Sequence, residues 1–588
     1  MKQVSDAYSA CMKSPMRNQS FVEVKFSNVD TSAAGDGALS SNGAQSYSEF
    51  ETIKYDYKYK ETYATLELNR WSLDGNTVIV PSGTKRDGFI SSNMSNQDGL
   101  FSTQAVLTST FVKAHALRGL TLIFDTRCKE WVIGVTVAYY LNGKIVKTLN
   151  LTVSDTKLVS EETVDACDKV VITFGSTLPY RRPRLERIIY GVEKTFTNND
   201  IISTKQSHDV DPITRRLPQE TMELVILDFE HNYDPDNPDG IYKYIDQNSP
   251  ISIRFGYELP NGTVEWLKED NYVLDGRPKV KNNQATFSAT GLIGSLNGMF
   301  YKSKLGRKSL YDMAVEVLTD ANLPLAKHGG NAWVIDNSLK QIYTTAALPI
   351  NTHMVCLQLI AHAACCQLYT TDDNIICIEP FDLVQLENTS GFSLDFSTIA
   401  ENSQSVSKIE QLKAVSVAKY SYTADADART LYEDTTTDTQ LHVEFSSIVQ
   451  DVQITVSGGS LVSSNVYARA VDLVLTTGTK SVVITGKSVS ENSVILSYPV
   501  QADGEVDTEE NTLITSDSMC TALATHVVAY LTKRNTYDVE YRGNPELETR
   551  DIIGLQTPYT AQTNAIILTD EITFDGALSG KLKVKSLT

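Results

Sequence analysis

The sequence lacks the short motifs by which most enzymes are recognised. It contains no GxSxG, HExxH, Walker A or GxGxxG pattern, and its eight histidines are widely separated. A glycosidase would need only two carboxylates held about 5 to 9.5 Å apart, and a chain with 72 acidic residues does not exclude such a pair. We nevertheless expect a protein without enzymatic activity, and we expect no cofactor and no bound metal.

Long apolar runs and paired cysteines are also missing. No stretch approaches about 18 uninterrupted apolar residues and the first residues lack a signal-peptide core, so we predict neither a membrane anchor nor secretion. No CxxC pair occurs, and the eight cysteines are scattered over Cys11, Cys128, Cys167, Cys356, Cys365, Cys366, Cys377 and Cys520. This spacing predicts reduced thiols in the cores of a protein assembled in a cytoplasm.

Basic residues are outnumbered, which gives a formal net charge of -20. Such an excess opposes binding to nucleic-acid phosphates and favours a soluble assembly component. A chain of 588 residues is too long to fold around one hydrophobic core. At roughly 150 residues per domain, it should contain about four domains. Thr, Ser, Val and Tyr are abundant while few stretches keep helical periodicity, so we predict a mainly β, multidomain chain.

Residues 222–300 have the pattern of a small antiparallel β-barrel. Apolar residues recur mostly at alternate positions, as half-buried strands require. They are Leu224, Ile226, Phe229, Ile251, Ile253, Phe255, Val273, Ala285, Phe287 and Ala289. Turn signals separate these runs, namely the DPDNPDG, PNG and DG segments.

Other β and α patterns flank this barrel. From Tyr63 to Gly191, many strands separated by Gly-containing turns predict a β-sandwich, best described as a jelly roll. Helices over 309–323 and 353–366, followed by a hairpin, predict a small α/β domain. Residues 415–500 again read as strands, and residues 507–588 read as one helix (516–534) followed by strands.

Two groups of residues suggest binding sites, and each has a structural alternative. Aromatic residues of the sandwich are candidate glycan-stacking faces, although Trp and Tyr in a sandwich more often fill the core; they are Trp71, Trp131, Tyr139 and Tyr140. Asp234, Asp236 and Asp239 resemble a calcium loop poorly, because Pro238 occupies a ligand position and no Glu stands at the twelfth position.

The adjacent cysteines Cys365 and Cys366, close to His362, suggest zinc or a nucleophile. Adjacent residues on a helix point about 100° apart, so the two thiols cannot easily share a metal. We therefore favour an apolar buried helix face at this position.

Several stretches resemble the hub proteins of phage tail tips and baseplates. LDFEHNYDPDNPDGIYKYI followed by PISIRFGYE resembles their first barrel, and MVCLQLIAHAACCQLYTTDDNIICIEPF resembles their α/β domain. NTLITSDSMCTALATHVVAYLTKRNTYDVEYRG, with the closing DEITFDGALSGKLKVKS, resembles their second barrel. ATLELNRWSLDG and LPYRRPRLERIIYG resemble the lectin-like module of many prophage tail proteins of Gram-positive hosts.

The resemblance implies a division of the chain into six parts. It predicts an N-terminal segment with a docking loop (1–62), a lectin-like jelly roll (63–196), a first tube-like hub barrel (197–302), a small α/β domain (303–400), a further β region (401–506) and a second hub barrel that includes one helix (507–588). Many hub proteins continue into a lytic or fibre domain, whereas this sequence ends after its last strand, so we expect no lytic activity.

The resemblance also implies a function and partners. The chain is expected in the virion, assembled in the host cytoplasm, as a homotrimer whose six barrels form a ring with an acidic lumen for DNA in transit. Expected partners are the distal tail or tail-tube protein, the central spike or fibre and the tape-measure protein. The alternative is an adhesin that binds host cell-wall glycan through the sandwich, and an enzyme that cuts peptidoglycan or capsule is the third class.

Overall fold

A computed structural model describes residues 1–14, 16–46, 48–50, 52–54, 62–63, 67, 77–78, 88–237, 242, 245, 247, 249–323, 331–371, 373–381, 392–401 and 403–587. These residues form a mainly β, multidomain structure, which confirms the predicted fold class. None of the helices in these ranges is long and apolar enough to cross a membrane.

Among the described residues of the first third of the chain are two short helices and fourteen strands. The helices are α1 (Asp6–Lys13) and α2 (Thr31–Asp36). The strands are β1 (Ser20–Val29), β2 (Ala38–Ser41), β3 (Thr62–Tyr63), β4 (Thr77–Val78), β5 (Phe89–Ile90), β6 (Leu100–Leu117), β7 (Leu120–Ile123), β8 (Gly134–Leu141), β9 (Lys144–Thr152), β10 (Lys157–Ser160), β11 (Val164–Ser176), β12 (Arg184–Leu185), β13 (Arg187–Ile189) and β14 (Gly191–Phe196).

The middle of the chain adds the first-barrel strands and the α/β domain. The strands are β15 (Ile201–Asp209), β16 (Gln219–Leu227), β17 (Pro250–Glu258), β18 (Val264–Trp266), β19 (Asp270–Leu274), β20 (Lys279–Lys281), β21 (Gln284–Thr290), β22 (Met299–Phe300), β23 (Lys308–Ser309), β24 (Trp333–Ile335), β25 (Tyr343–Thr344), β26 (Asn351–Thr352), β27 (Cys366–Thr370) and β28 (Ile376–Pro380). The helices are α3 (Leu310–Asp320) and α4 (His353–Ala363).

The last third is almost entirely β. Its strands are β29 (Ser393–Leu394), β30 (Ser405–Lys408), β31 (Leu412–Ala424), β32 (Arg429–Thr436), β33 (Gln440–Glu444), β34 (Ile448–Ser457), β35 (Leu461–Val466), β36 (Ala470–Leu475), β37 (Lys480–Pro499), β38 (Glu505–Glu509), β39 (Asn535–Tyr541), β40 (Ile552–Leu555), β41 (Thr563–Phe574) and β42 (Leu578–Ser586). The helix α5 (Asp517–Leu531) lies between β38 and β39.

One sheet of 15 strands unites the two predicted barrels. Its main path runs β14-β1-β17-β19-β21-β16-β15-β41-β42-β39-β30. The two barrels join at the antiparallel pair β15–β41, where Thr204 lies opposite Phe574 and Asp209 opposite Thr569. Side chains of both barrels, among them Phe287 and Val584, share one apolar core. The two barrels therefore form a single packed unit.

The N-terminal segment belongs to this sheet, which differs from the predicted boundaries after residues 62 and 196. Strand β1 lies between β14 and β17, with Val24 opposite both Phe196 and Ile253. The physical reason is its alternation, since Val22, Val24 and Phe26 are buried in the barrel core. The sandwich is thus an insertion between β1 and β14.

The inserted domain is a two-layer β-sandwich. A five-stranded sheet, in the order β2-β6-β11-β8-β9, and a three-stranded sheet, in the order β10-β7-β13, contribute to one separate core. Leu107, Leu122, Val137, Ile172 and Ile188 are fully or almost fully buried there. Inward and outward residues alternate along β8 as expected for a strand that covers a core on one face.

Helices α3 and α4 form a further core that also takes in α5. The predicted cap at Ser309 is present, because the Ser309 hydroxyl accepts a hydrogen bond from Asp312 N. Helix α4 ends earlier than predicted, because Cys365 adopts a left-handed backbone (φ 53°) and Cys366 begins β27. Leu523 and Val527 of helix α5, which was expected in the second barrel, belong to the same core as residues of α3, α4 and the strands β40 and β41.

Two further sheets form the β region after β30. They have the orders β32-β37-β31-β38, with β34 beside β37, and β33-β36-β35. Strand β38 pairs in parallel with β31, so this region extends to Glu509, beyond the predicted boundary at residue 506. Conversely, β29 and β30 belong to the sheet of the second barrel, although they precede residue 507, where that barrel was predicted to begin.

Candidate functional site: the face of the joined barrels

The outward side of the joined sheet is a polar surface that continues from one barrel to the other. Strand alternation alone creates it: each strand turns its apolar residues into the shared core and its polar residues outward. We call this surface the joint face. Its charged residues include Glu23, Lys25, Lys205, Asp209, Glu223, Arg254, Asp538, Glu540, Glu571, Lys581 and Lys583.

Charges of opposite sign are interleaved on the joint face. Lys205 Nζ lies 2.9 Å from Glu571 Oε2 across the join between the barrels. Lys581 Nζ lies 2.8 Å from Glu540 Oε1 on the second barrel, and Arg254 pairs with Glu23 on the first. Because these pairs are partly or largely exposed, each contributes little to stability. They give the face mixed charge, in contrast to the acidic lumen expected from the net charge.

The N-terminal residues 1–14, which we call the strap, hold the two barrels together. Buried Tyr8 and Met12 anchor α1 in the shared core. On the first barrel, Ser5 N donates to Glu265 Oε1 at 2.7 Å. On the second barrel, Ser9 Oγ donates to Glu546 Oε1 at 3.3 Å. The strap therefore bridges the barrels on both sides of their join.

Beside Lys2 of the strap, a partly open polar cavity of about 70 Å³ lies between the barrels and the α/β hairpin. We call it the joint cavity. Gln206 Nε2 donates to Asp270 Oδ2 at 3.0 Å and to the Tyr272 hydroxyl at 2.8 Å. Lys2 Nζ lies 2.5 Å from Asp270 Oδ1. The Tyr541 hydroxyl donates to Asp570 Oδ1 at 3.3 Å. Side-chain hydrogen bonds thus connect β15 and β19 with Lys2 of the strap, and β39 with β41.

Three carboxyl groups of the joint cavity, those of Glu220, Asp270 and Asp570, have pKa values that are shifted in different directions. Burial, with the nearby charge of Asp270, raises the pKa of Glu220 to about 7. Burial raises the pKa of Asp570 well above its usual value. Burial would also raise the pKa of Asp270, but Lys2 and His208 outweigh it and lower that pKa. Near neutral pH the cavity holds an ionised Asp270 beside carboxyl groups that retain or share protons.

The volume of the joint cavity decides what these carboxyl groups can do. Two carboxyl groups with separated pKa values are also the arrangement of a glycosidase. A small-molecule site, however, occupies about 300 to 1,000 Å³, whereas this cavity measures about 70 Å³. Its size favours a polar joint between the barrels over a site that encloses a sugar.

Glu220 predicts a pH-dependent stability that can be measured. Because its pKa in the folded protein is raised from about 4.5 to about 7, its contribution to folding is lost as pH rises through that interval. Each pKa unit corresponds to about 1.4 kcal/mol, and partial exposure reduces the effect, so we expect a loss of about 2 kcal/mol between pH 5 and pH 8. Glu220→Gln should remove this loss and be more stable than the wild type at pH 8.

The matched control is Glu223→Gln, since Glu223 lies on the same strand but on the exposed face. Its midpoint of denaturant unfolding should follow the wild-type pH profile. An unchanged pH profile in Glu220→Gln would contradict the assignment. Gly291 contributes to the geometry, because a Cβ at this position would lie 2.1 Å from Glu220 Oε2.

A second buried charge network lies where the first barrel meets the α/β domain. His362 Nε2 lies 3.1 Å from Glu509 Oε2, and Asn511 Nδ2 lies 3.1 Å from His362 Nδ1. Arg215 pairs with both Glu509 and Asp507. Both ring nitrogens of His362 are thus occupied. Burial raises the pKa of the Cys365 thiol to about 12, which disfavours a nucleophile. The two cysteines follow the end of α4 and do not lie on its face as predicted, because Cys365 adopts a left-handed backbone and Cys366 begins β27.

The four candidate glycan-stacking residues do not form one platform. Trp71 lies outside the described residues. Tyr139 is fully buried in the sandwich core, so its ring has no face for a sugar, and this prediction is wrong for Tyr139. Trp131 is half-buried and packs on the core before β8 begins, whereas Tyr140 lies near the far end of β8 with Lys169 Nζ 4.4 Å above its ring. Glycan binding stays a prediction.

The acidic loop is only partly described. Asp236 N donates to Asp234 Oδ1 at 2.9 Å, as in an ordinary Asx turn. Pro238, Asp239 and Gly240 lie outside the described residues. Within the described ranges, no group of three or more His, Cys, Asp or Glu side chains could hold a metal ion.

The sequence analysis missed the residues of the joint cavity. Glu220 sits at the inward phase of the alternating strand β16, and Asp570 sits at the inward phase of β41, two residues before the buried Ile572. A charged residue in the inward phase of a strand is a signal that could have been read from the sequence. Lys2 carries no such signal, because its partner Asp270 is distant in the chain.

Comparisons with known proteins give distant structural similarities. No protein-family model and no curated protein matches the sequence. The fold is similar to the tail protein from Neisseria meningitidis MC58, with 9% identity over 67% of this chain and 93% of that chain and a TM-score of 0.37. It is similar to prophage tail protein gp18 from Listeria monocytogenes EGD-e, with 8% identity over 66% and 91% and a TM-score of 0.35.

A further similarity covers a smaller part of the chain. The family 32 CBM of C. perfringens NanJ, solved in complex with galactose, has 10% identity over 29% of this chain and 99% of that chain, with a TM-score of 0.18. At TM-scores below 0.5, none of these similarities establishes a shared structure. The function of this chain has to be inferred from its own geometry.

Proposed function

We propose that this chain is the structural hub of a bacteriophage tail tip or baseplate. In this role it forms a ring that continues or closes the tail tube and connects it to a central spike or fibre and to peripheral baseplate proteins. The observation that carries the proposal is the pairing of β15 with β41, which joins two barrels side by side under one polar face. Two such barrels in each of three chains would give six barrels around an axis.

The joint face has the properties that a channel lining needs. It is polar over both barrels, so it can remain in water without attracting apolar surfaces. Most of its named lysines and arginines are paired with carboxylates, as in Lys205–Glu571, Lys581–Glu540 and Arg254–Glu23. Paired cations release few counterions from DNA, so DNA in transit would pass without adhering. A lining of mixed charge would serve as well as the acidic lumen expected from net charge.

The positions of the other domains support the same role. The sandwich is inserted between β1 and β14, at one end of the sheet path. The β region after β30 leaves the sheet at the opposite end of the path. Neither insertion interrupts the β15–β41 pairing, and both are the proposed attachment points of peripheral baseplate proteins. The tail-tube, tape-measure and spike or fibre proteins are the proposed axial partners.

The location is tested by labelling. Phage particles in which this chain carries a C-terminal tag are decorated with gold-labelled tag-binding antibody and imaged by electron microscopy. The expected result is label at the distal end of the tail in most particles, with untagged particles as the control. Label along the tail shaft, on the capsid, or absent from intact particles whose tag is accessible after disassembly would contradict the proposed role.

A further inference from the structure

The joined sheet has one covered end and one open end. At the β14 end, the sandwich covers the strand: Thr121 Oγ1 donates to Gly191 O at 2.9 Å, and a Cβ at Gly119 would lie 2.5 Å from Val192 Cγ2. At the other end, β30 pairs with β39, and no other described strand pairs with its outer edge. An open strand edge is a template for association with another chain.

Three large apolar side chains are exposed around this open end. The exposed fractions are 50% for Phe396, 62% for Val406 and 96% for Tyr559. We call these three residues the end patch. A tyrosine that is almost completely exposed on a Pro-Tyr turn has the chemistry of a binding anchor, because a rigid amphipathic ring buries a large area at low entropic cost.

One glutamine holds the end patch together. Phe396 N donates to Gln556 Oε1 at 3.1 Å. Gln404 Nε2 donates to Gln556 O at 3.0 Å, and Gln404 lies two residues before Val406. Tyr559 follows Gln556 within a turn closed by the hydrogen bond from Thr557 N to Thr560 O at 3.0 Å. The three residues of the end patch therefore lie on three chain segments that are connected by hydrogen bonds.

The charge pattern indicates which partner fits the end patch. Residues 396–400, 403–407 and 552–569 contain no charged residue, in a chain in which 21% of residues are charged. Two copies of this chain, each with a net charge of -20, repel each other wherever charged surfaces meet. A neutral apolar patch is where two such copies can approach each other. A basic partner would bind more favourably to the acidic surface.

We infer that the end patch is the contact by which one copy of this chain docks on the next copy in the ring. This inference rests on the proposed function and names its subunit contact. A ring of three copies requires this contact to be heterologous, because a two-fold contact between two end patches would close after two copies. A heterologous contact closes into a ring when the rotation per subunit divides a full turn.

The test uses tail tips assembled in the host bacterium. The photo-cross-linker p-benzoyl-L-phenylalanine replaces Tyr559, the particles are irradiated, and cross-linked peptides are identified by mass spectrometry. The expected product joins position 559 to a peptide of a second copy of this chain. A product that joins position 559 only to a different tail protein, or no cross-link at all, overturns the inference.

Charge variants separate this inference from the proposed function. Tyr559→Asp and Val406→Asp should each lower the yield of assembled ring at least about ten-fold, because they add negative charge to a self-contact. Tyr180→Asp, at an exposed tyrosine of the sandwich, should assemble like the wild type. Circular dichroism and thermal unfolding verify that the variants fold. Normal rings in Tyr559→Asp overturn the end patch alone, whereas wild-type tips without a ring of this chain overturn the proposed function.

Discussion

Replacing Phe287 by alanine is expected to lower the local free energy of unfolding of the joined barrels by about 4 kcal/mol. Phe287 is 1% exposed, and its ring centre lies 5.1 Å from that of Tyr233, 5.9 Å from Phe26 and 6.2 Å from Phe196. Phe26 lies on β1 and Phe196 on β14, the two strands that flank the inserted sandwich. The substitution therefore leaves a cavity at the point where the insertion is anchored.

Hydrogen exchange is the suitable measurement, because a multidomain chain need not unfold in one step. Amides of β1, β14 and β21 should exchange faster by the factor that corresponds to the loss in stability, while those of the sandwich core keep their wild-type rates. The matched control is Phe229→Ala, since the Phe229 side chain is 68% exposed and should cost less than about 0.5 kcal/mol. Equal effects of the two substitutions would contradict the placement of β1 and β14 in this core.

Ser207→Pro is expected to uncouple the two barrels. Ser207 lies in the middle of β15, opposite Thr221 of β16 on one side and Glu571 of β41 on the other. Proline lacks the amide hydrogen and fixes φ near -65°, so an interior strand loses a ladder bond and is distorted. A cost of at least about 3 kcal/mol is expected at the join, and assembly of the ring should be lost with it.

Calorimetry separates the outcomes of this substitution. The wild-type sheet should unfold as one unit, whereas Ser207→Pro should show a new transition at lower temperature, with amides of β41 losing protection. Ser207→Ala, which keeps the amide hydrogen, is the control at the same position and should match the wild type. Normal protection of β41 in the proline variant would mean that the barrels do not depend on the β15–β41 pairing.

Local patterns in the sequence were enough to predict much of the first barrel. Leu224, Ile253 and Phe287 are buried as their alternation predicts. Phe229 was wrongly placed, because it follows the end of β16 and is exposed. Val273 was also misplaced, since the flanking Tyr272 and Leu274 are the buried residues of β19. The sequence predicted the type of each element. The errors concerned which residues of a strand face the core and where a strand ends.

The pairing between distant strands could not be predicted in the same way. Strands β15 and β41 pair although they lie more than 350 residues apart, and no local pattern encodes such a partner. Strand β1 has an ordinary alternating pattern, which does not reveal that its neighbours are β14 and β17. The end of α4 was missed because Cys365 takes a left-handed conformation that is usual for Gly or Asn. The joint cavity depends on these long-range pairings and could not be foreseen.

The proposed ring places the exposed charges of the joint face around its lumen. A symmetry-free cryo-electron microscopy reconstruction of assembled tail tips is the most direct test of this placement. It should show three copies of this chain and six barrels around the axis, with Lys205, Glu571 and Lys581 facing the lumen. Six copies in the ring, one copy on the axis, or a joint face turned away from the lumen would contradict the hub.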